Sequence, residues 1–241
     1  MGTRAALGAL ALATLALGGC ASTEEEPLPP EAWPLVFAED FLTPEKLAGF
    51  EFTDRGAWRW GRVEHTSFLE LHRASEYAPP HRSPLSIALL PELVVGDFDL
   101  ELRLEQTGRD YGHRDLIVVL GFESPGRYLY VHLAPSPDEN AHNVFVVDDA
   151  PRRNLLPPQA EGIDWGNGEW HTVRLERRLE EGTLRVFWDG SEAPIFVVED
   201  LPPAWGRLGF GSFDDTGRVT GLRVRAPLVR PVERDAGFVG G

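Results

Sequence analysis

The sequence predicts an all-β fold, a sandwich of two antiparallel sheets, and three observations carry this prediction. About ten short apolar runs lie between residues 35 and 225, each bounded by Gly, Pro, Asp or Asn. No segment keeps a helical hydrophobic period over about ten residues, although Pro44–Phe50 fits one short helical turn. No repeat of roughly 20–50 residues is visible, which argues against propellers and solenoids.

Three runs show the strand patterns most clearly. The run 97–105 alternates strictly, so its apolar and charged side chains are predicted on opposite faces of one strand. The run 116–122 is an almost continuous apolar strand, and 128–133 alternates again, with Tyr128, Tyr130 and His132 on one face. Further strands are predicted at 143–147, 170–177, 183–188, 195–198, 207–210 and 220–224, with Asp189-Gly190 as a tight-turn pair.

Length, composition and charge exclude several classes of protein. The chain has 241 residues, of which 42% are hydrophobic, so it can bury a sizeable core and is not disordered. A single cysteine excludes a disulfide framework and a Cys-rich metal site. The net charge of −15 argues against nucleic acid as a partner, because a nucleic-acid-binding face is basic.

The N-terminus predicts export and a lipid anchor. The apolar stretch 5–17 follows Arg4 and is too short for a transmembrane helix, but it fits the apolar region of a secretory signal. The following Leu17-Gly18-Gly19-Cys20 resembles the lipobox of bacterial lipoproteins, which implies lipidation of Cys20. We therefore expect a lipoprotein of the bacterial cell envelope, and Ala21 after the cysteine favours the outer over the inner membrane by analogy.

The predicted organisation follows from these segments. Residues 1–19 form the lipoprotein signal peptide, and the acidic, Pro-rich residues 20–34 form a tether that cannot bury a core. Residues 35–225 form the β-sandwich, and 226–241 form a loose C-terminal tail. Contact with the membrane is expected through the lipid anchor only.

The second half of the sandwich resembles a known superfamily. The segment 168–177 (GEWHTVRLER) leads into 182–190 (GTLRVFWDG), and 206–217 (GRLGFGSFDDTG) precedes a last strand at 219–224. This order resembles the concanavalin A-like lectin and glucanase jelly rolls, in particular laminin-G-like domains and the bacterial family called 3-keto-disaccharide hydrolase. The resemblance implies a concanavalin A-like jelly-roll sandwich over residues 35–225. For function, it implies either a glycan-binding module or a hydrolase that acts on glycosides.

In this superfamily, ligands usually lie on the concave face of one sheet or in the loops at its rim. The strands and loops between 111 and 143 carry the richest polar constellation in the chain, and residues 77–83 form a nearby loop that could supply a wall. Aromatic rings pack on the C–H faces of sugars, while Arg, Asn and His bond to hydroxyl groups. The residues predicted to bind a glycan are His81, Arg82, Tyr111, His113, Arg114, Tyr130, His142 and Asn143.

The alternative reading is an enzyme. Hydrolysis of a glycosidic bond normally uses two carboxyl groups, and the closest match to the Glu-x-Asp-x-Glu strand of glycoside hydrolase family 16 is Asp97-x-Asp99-x-Glu101. Because Arg103 continues the same polar face, we interpret it as an ordinary solvent-facing strand. For a hydrolase of the 3-keto-disaccharide type, Asp115 and His132 are the candidates for acid/base catalysis. A third hypothesis is a structural envelope lipoprotein without a ligand.

No cofactor or metal site is predicted outright, and two metal alternatives stay open. Calcium would draw on acidic pairs such as Asp138 with Glu139, Asp148 with Asp149, or Asp214 with Asp215. Zinc would need His113, His132 and His142 on one patch.

Overall fold

The computed structural model describes residues 1–2, 32–202, 204–233 and 237–238. Cys20 and nearly all of the predicted signal peptide and tether lie outside these residues. The described chain forms two antiparallel sheets of eight strands each. Within the described part of the chain, no helix has the length and apolar character needed to span a membrane.

Sheet 1 follows the order β13-β12-β11-β6-β15-β4-β3, and β1 also pairs with β15. Its strands are β1 Leu35–Glu39, β3 Trp58–Val63, β4 Thr66–Leu71, β6 Phe98–Gln106, β11 His171–Arg178, β12 Thr183–Trp188, β13 Phe196–Val198 and β15 Gly217–Arg225.

Sheet 2 follows the order β10-β9-β8-β7-β14-β5-β16, and β2 also pairs with β5. Its strands are β2 Glu51–Phe52, β5 Ser86–Val95, β7 Leu116–Ser124, β8 Arg127–Leu133, β9 Asn143–Asp148, β10 Arg153–Asn154, β14 Gly206–Ser212 and β16 Val229–Arg230. Two short 3-10 helices, Pro44–Gly49 and Arg55–Ala57, connect the first strands.

The main hydrophobic core lies between the two sheets. Sheet 1 contributes alternate residues of β6, such as Leu100, Leu102 and Leu104, which are almost fully buried. Sheet 2 contributes Val131 and Leu133 of β8 together with residues of β5, β7 and β14. The period of two in β6 therefore corresponds to one face in the core and one face toward solvent.

Sheet 2 also buries its outer face. A second hydrophobic cluster lies there, which we call the outer cluster: Ile87, Leu89, Ile117, Val119, Phe122, Tyr128, Tyr130, Phe145 and Val147. Phe238 packs on it, with its ring 5.0 Å from that of Phe122 and 5.8 Å from that of Tyr77 in the segment before β5. Burial on both faces explains why the run 116–122 is apolar throughout.

The predicted fold class is confirmed, with more strands than expected. The runs predicted from 97 to 224 all form strands, and the predicted turn at Pro44–Phe50 is the first 3-10 helix. Strands β1, β3, β4 and β5 in the first half and the short strands β2, β10 and β16 were not predicted. Val229 and Arg230, from the segment predicted as a tail, pair with β5 as β16.

Candidate functional site

One end of sheet 2 gathers most of the polar residues that the sequence singled out. Because neighbouring strands are antiparallel, the starts of β5, β7 and β9 meet the ends of β8 and β14 at this end. A cleft of about 260 Å³ opens there, and we call it the rim cleft. Its lining consists of Arg82, Arg109, Tyr111, His113, Asp115, His132, Asn140, Ala141, Arg152, Phe213 and Asp214.

Asp115 lies at the base of the cleft, just before β7, and is only 1% exposed. Its carboxyl group accepts hydrogen bonds from the hydroxyl of Ser212 at 2.9 Å and from the backbone N–H of Phe213 at 2.8 Å. Burial raises the pKa of Asp115 well above its ordinary value, and the negative charges of Asp215 and Asp214 raise it further. Asp115 is thus a buried carboxyl group that favours its protonated form.

Two more carboxyl groups lie beside Asp115, in the turn that follows β14. Asp215 accepts hydrogen bonds from the hydroxyl of Tyr111 at 2.6 Å and from the backbone N–H of Asp115 at 2.9 Å. Asp214 is exposed, and partial burial together with the charge of Asp215 raises its pKa. One oxygen from each of the three carboxyl groups lies within 4.8 Å of the others.

His132, at the end of β8, is buried against Asp115. Its Nε2 atom lies 3.7 Å from Asp115 Oδ2. Burial lowers the pKa of His132 well below its ordinary value, and the charge of nearby Arg152 lowers it further. The two residues predicted for catalysis therefore lie side by side, and both favour their uncharged forms.

Arg152 crosses the outer cluster to reach the cleft. Its guanidinium group donates to the hydroxyl of Tyr130 and to the backbone carbonyl of Asn140, both at 2.7 Å. It lies 4.5 Å from the ring of Phe145 and 4.3 Å from that of Phe213. Tyr130 is itself fully buried, so its role in the site is to hold Arg152.

Arg82 and His113 form the outer part of the cleft. Arg82 donates to the side-chain oxygen of Asn140 at 2.9 Å, which joins the loop before β5 to the loop before β9. His113 Nε2 lies 3.0 Å from the carboxylate of Asp138. Both side chains are exposed enough to meet a ligand.

Four residues predicted to bind a ligand do not line the cleft. His81 lies in the loop beside it, and Arg114 is buried and donates to the carbonyl of Gly166 at 2.9 Å. The ring of His142 packs 4.7 Å from that of Phe196, and Asn143 donates to the carbonyl of Leu156 at 3.0 Å. A fifth, Tyr130, lies beneath the cleft. The side chains of Arg114, His142 and Asn143 hold loops in place.

The described residues can be compared with the ligands predicted for calcium and for zinc. Among these residues, the only group of three metal-ligating side chains is Asp115, Asp214 and Asp215. These supply three oxygens, whereas calcium takes about six to eight, so calcium at this cluster stays a prediction. His113, His132 and His142 form no metal-ligating group among the described residues. The backbone N–H of His142 donates to His132 Nδ1 at 3.3 Å, but the ring of His142 packs against Phe196 and His113 pairs with Asp138.

Sequence reasoning missed Arg109, Arg152 and Phe213, and it placed Asp214 only among candidate calcium ligands. The guanidinium group of Arg109 lies 4.6 Å from the ring of Tyr111. No motif marks these residues, since they come from three loops that only the strand pairing brings together. The Asp97-x-Asp99-x-Glu101 pattern belongs to sheet 1, where Asp99 forms a 2.7 Å ion pair with Arg178.

The sandwich is similar to several solved carbohydrate-related structures. Carbohydrate binding module CBM66 from Bacillus subtilis aligns with a TM-score of 0.51 at 13% identity, over 74% of this chain and 96% of that one. A legume lectin-like domain from Entamoeba histolytica aligns with a TM-score of 0.52 at 13% identity, over 79% of this chain and 96% of that one.

A variant of the GH43 protein BlXynB from Bacillus licheniformis aligns with a TM-score of 0.56 at 12% identity, over 83% of this chain. This chain spans only 41% of that protein's length. At such identities the likeness shows the fold, which is the jelly-roll sandwich of lectins and carbohydrate-binding modules. No protein-family model matches the sequence, and no curated protein matches it.

Proposed function

We propose that this protein binds a carbohydrate in the rim cleft. The observation that carries the proposal is the convergence of hydrogen-bonding groups of several kinds at one end of sheet 2. Guanidinium, imidazole, amide and carboxyl groups surround a single cleft with two aromatic rings. Such a mixture suits sugar hydroxyl groups, which both donate and accept hydrogen bonds.

The arginines that already contact the two aromatic rings of the cleft indicate how a glycan would bind. A guanidinium group lies over each ring, that of Arg152 at 4.3 Å from Phe213 and that of Arg109 at 4.6 Å from Tyr111. These groups cover ring surface that a sugar would otherwise use. We therefore expect hydrogen bonds rather than ring stacking to provide most of the contact with the glycan.

We further propose that the protein acts in the bacterial cell envelope, held by a lipid on Cys20, with the outer membrane favoured. The support is the lipobox-like sequence 17–20 after an apolar stretch. Two or more acyl chains on one residue give stable anchoring. In cells, wild-type protein should fractionate with membranes and Cys20→Ala should not; an unchanged distribution would contradict the anchor.

The binding proposal is tested with the purified full-length protein in detergent, incubated with a panel of soluble and insoluble polysaccharides. Depletion of the protein from solution measures binding, and new reducing ends measure hydrolysis. Depletion without new ends supports a binding module. Absence of both would overturn the proposal and favour the structural-lipoprotein hypothesis.

A hydrolase is the second candidate, and the pair of Asp115 and Asp214 favours it. Both carboxyl groups line the same cleft, and one oxygen of each lies within 4.8 Å of the other. Burial raises the pKa of Asp115 further than that of the exposed Asp214, so Asp115 is the one of the pair that favours the protonated form. A protonated carboxyl group beside an ionised one is the arrangement used to cleave glycosidic bonds. New reducing ends that disappear in Asp115→Asn and Asp214→Asn, while depletion persists, would establish this activity.

A further inference from the structure

The rim cleft concentrates positive charge in a strongly acidic protein. The chain carries a net charge of −15, yet three arginines, Arg82, Arg109 and Arg152, line this one cleft of about 260 Å³. A site whose charge opposes that of the whole protein attracts ligands of the sign that the rest of the surface repels. The charge of the cleft therefore indicates the sign of the charge on its ligand.

None of these three guanidinium groups forms an ion pair within the described part of the chain. Arg152 bonds to a hydroxyl and to a carbonyl, and Arg82 bonds to an amide oxygen. Arg109 lies 4.6 Å from the ring of Tyr111, and its charge acts on Asp214 without forming an ion pair among the described residues. By contrast, arginines elsewhere, such as Arg178 and Arg223, lie within 2.7 to 2.8 Å of a carboxylate.

In the described part of the chain, a buried donor atom of Arg152 also lacks a partner, a feature that Arg114 outside the cleft shares. The Nε–H group of Arg152 is buried and has no hydrogen-bond partner among the described residues. Unpaired buried donors are uncommon, and each one needs an explanation. Its guanidinium group already donates to Tyr130 and Asn140, so the arginine is held in place although one donor lacks an acceptor.

We propose that the rim cleft selects an acidic glycan, one whose sugar units carry carboxylate groups. The planar fork of a guanidinium group matches a carboxylate and bonds to it at two points. Arg109 is exposed at the mouth of the cleft and is the group best placed to bind the carboxylate. This inference rests on the proposed function and adds the class of glycan to it.

The acidic residues of the cleft do not cancel this charge. Asp115 is only 1% exposed, and its two carboxyl oxygens already accept hydrogen bonds from the hydroxyl of Ser212 and from the backbone N–H of Phe213. Asp214 is the exposed carboxyl group of the lining, where the charges of Arg109 and Arg152 act on it, and its neighbour Asp215 is bound by the hydroxyl of Tyr111. The balance of charge in the cleft is therefore positive.

The test compares polysaccharides that share a backbone and differ in charge. Full-length protein in detergent is titrated with polygalacturonate and its methyl ester, and with carboxymethylcellulose and methylcellulose. We expect at least one carboxylated member to bind about tenfold more tightly than its neutral counterpart, and added salt to weaken that binding.

Two substitutions, each removing one positive charge, show whether binding of the carboxylated glycan depends on the cleft. Arg109→Gln should weaken binding of the carboxylated glycan about tenfold, the loss expected for one charge-assisted hydrogen bond. Arg185→Gln is the matched control, because Arg185 is also exposed but lies on the outer face of sheet 1. Circular dichroism of both variants verifies the fold.

Each outcome separates the two proposals. Equal binding of charged and neutral members would overturn the preference for acidic glycans and leave carbohydrate binding intact. Equal losses in both arginine variants would assign the effect to net charge and overturn the role of the cleft. If no polysaccharide in this or the broader panel binds, the proposed function fails together with the inference.

Discussion

The backbone N–H of Asp115 donates a 2.9 Å hydrogen bond to Oδ2 of Asp215, which lies 100 residues further along the chain. The hydroxyl of Ser212 completes a closed arrangement, since it donates to Asp115 Oδ1 at 2.9 Å and accepts from the backbone N–H of Asp215 at 2.7 Å. These bonds fix the start of β7 against the turn after β14. The positions of the Asp115 and Asp215 carboxyl groups follow from them.

The first prediction concerns the charge of Asp115. Its folded-state pKa lies above its unfolded-state value, because burial and the charges of Asp215 and Asp214 disfavour the ionised form. The folded protein then holds a proton that the unfolded chain releases, so this residue lowers stability as the pH rises above about 4. Asp115→Asn, which stays uncharged, should gain stability relative to wild type as the pH rises.

Urea unfolding of wild type and Asp115→Asn at pH 5 and pH 8 measures this difference. Asp148→Asn is a suitable control, because that carboxylate lies on the same sheet but its side chain is 67% exposed. A stability difference between wild type and Asp115→Asn that does not change with pH would contradict the burial of an uncharged carboxyl group.

The second prediction has the opposite sign and concerns His142. Burial lowers its pKa from 6.5 to about 4, so the folded protein keeps the ring neutral while the unfolded chain takes up a proton. The contribution to stability is present above about pH 6.5 and is lost as the pH falls toward 4. For a shift of this size the loss amounts to about 3 kcal/mol.

The variant His142→Asn tests this effect, since its side-chain oxygen can accept the hydrogen bond that the backbone N–H of Ala134 donates to His142 Nδ1. Between pH 7 and pH 4, wild type should lose more unfolding free energy than the variant. Equal losses measured by urea unfolding would show that another group governs acid sensitivity.

The third prediction concerns the glycines of β14. A methyl group at Gly211 would overlap the backbone carbonyl oxygen of Ser86 on the neighbouring strand β5. Backbone atoms in the middle of a sheet cannot move aside, so we expect Gly211→Ala to destabilise the protein by more than about 3 kcal/mol. Thermal unfolding measures the loss, and a melting temperature equal to that of wild type would contradict the close approach.

Local sequence patterns were enough to predict the fold class. The alternation in β6 and β8 and the continuous apolar run of β7 each depend on neighbouring residues, and these strands lie where the patterns place them. The alternation also placed Tyr128 and Tyr130 on the same face of β8. What it could not predict is that Tyr77 and Phe238, from distant segments, help to cover that face.

The rim cleft was predictable only in part, for a related reason. Arg82, Tyr111, His113, Asp115 and His132 were candidates because their residue types suit sugar chemistry, and the structure brings these five together. Arg109, Arg152 and Asp214 join them because strand pairing brings their loops together, in particular the pairing of β7 with the distant β14. Residue type alone could not separate them from arginines and acidic residues at an ordinary surface.

The fourth prediction concerns the support that Tyr130 gives to Arg152. The hydroxyl of Tyr130 accepts a 2.7 Å hydrogen bond from the guanidinium group beneath the cleft. Tyr130→Phe removes this acceptor and leaves a half-buried charged donor without it, which should cost about 1–3 kcal/mol of unfolding free energy. Because Arg152 is then less firmly held, binding of the glycan should weaken as well.

Tyr128→Phe provides the matched control for that experiment. Tyr128 belongs to the same face of β8 and is equally buried, but its hydroxyl bonds to Ser83 rather than to Arg152. Both variants should lose stability, whereas only Tyr130→Phe should lose affinity in the polysaccharide titration. Equal affinities of the two variants would show that Arg152 does not need Tyr130 to bind the ligand, and the cleft would then be organised by Asn140 and the ring of Phe213.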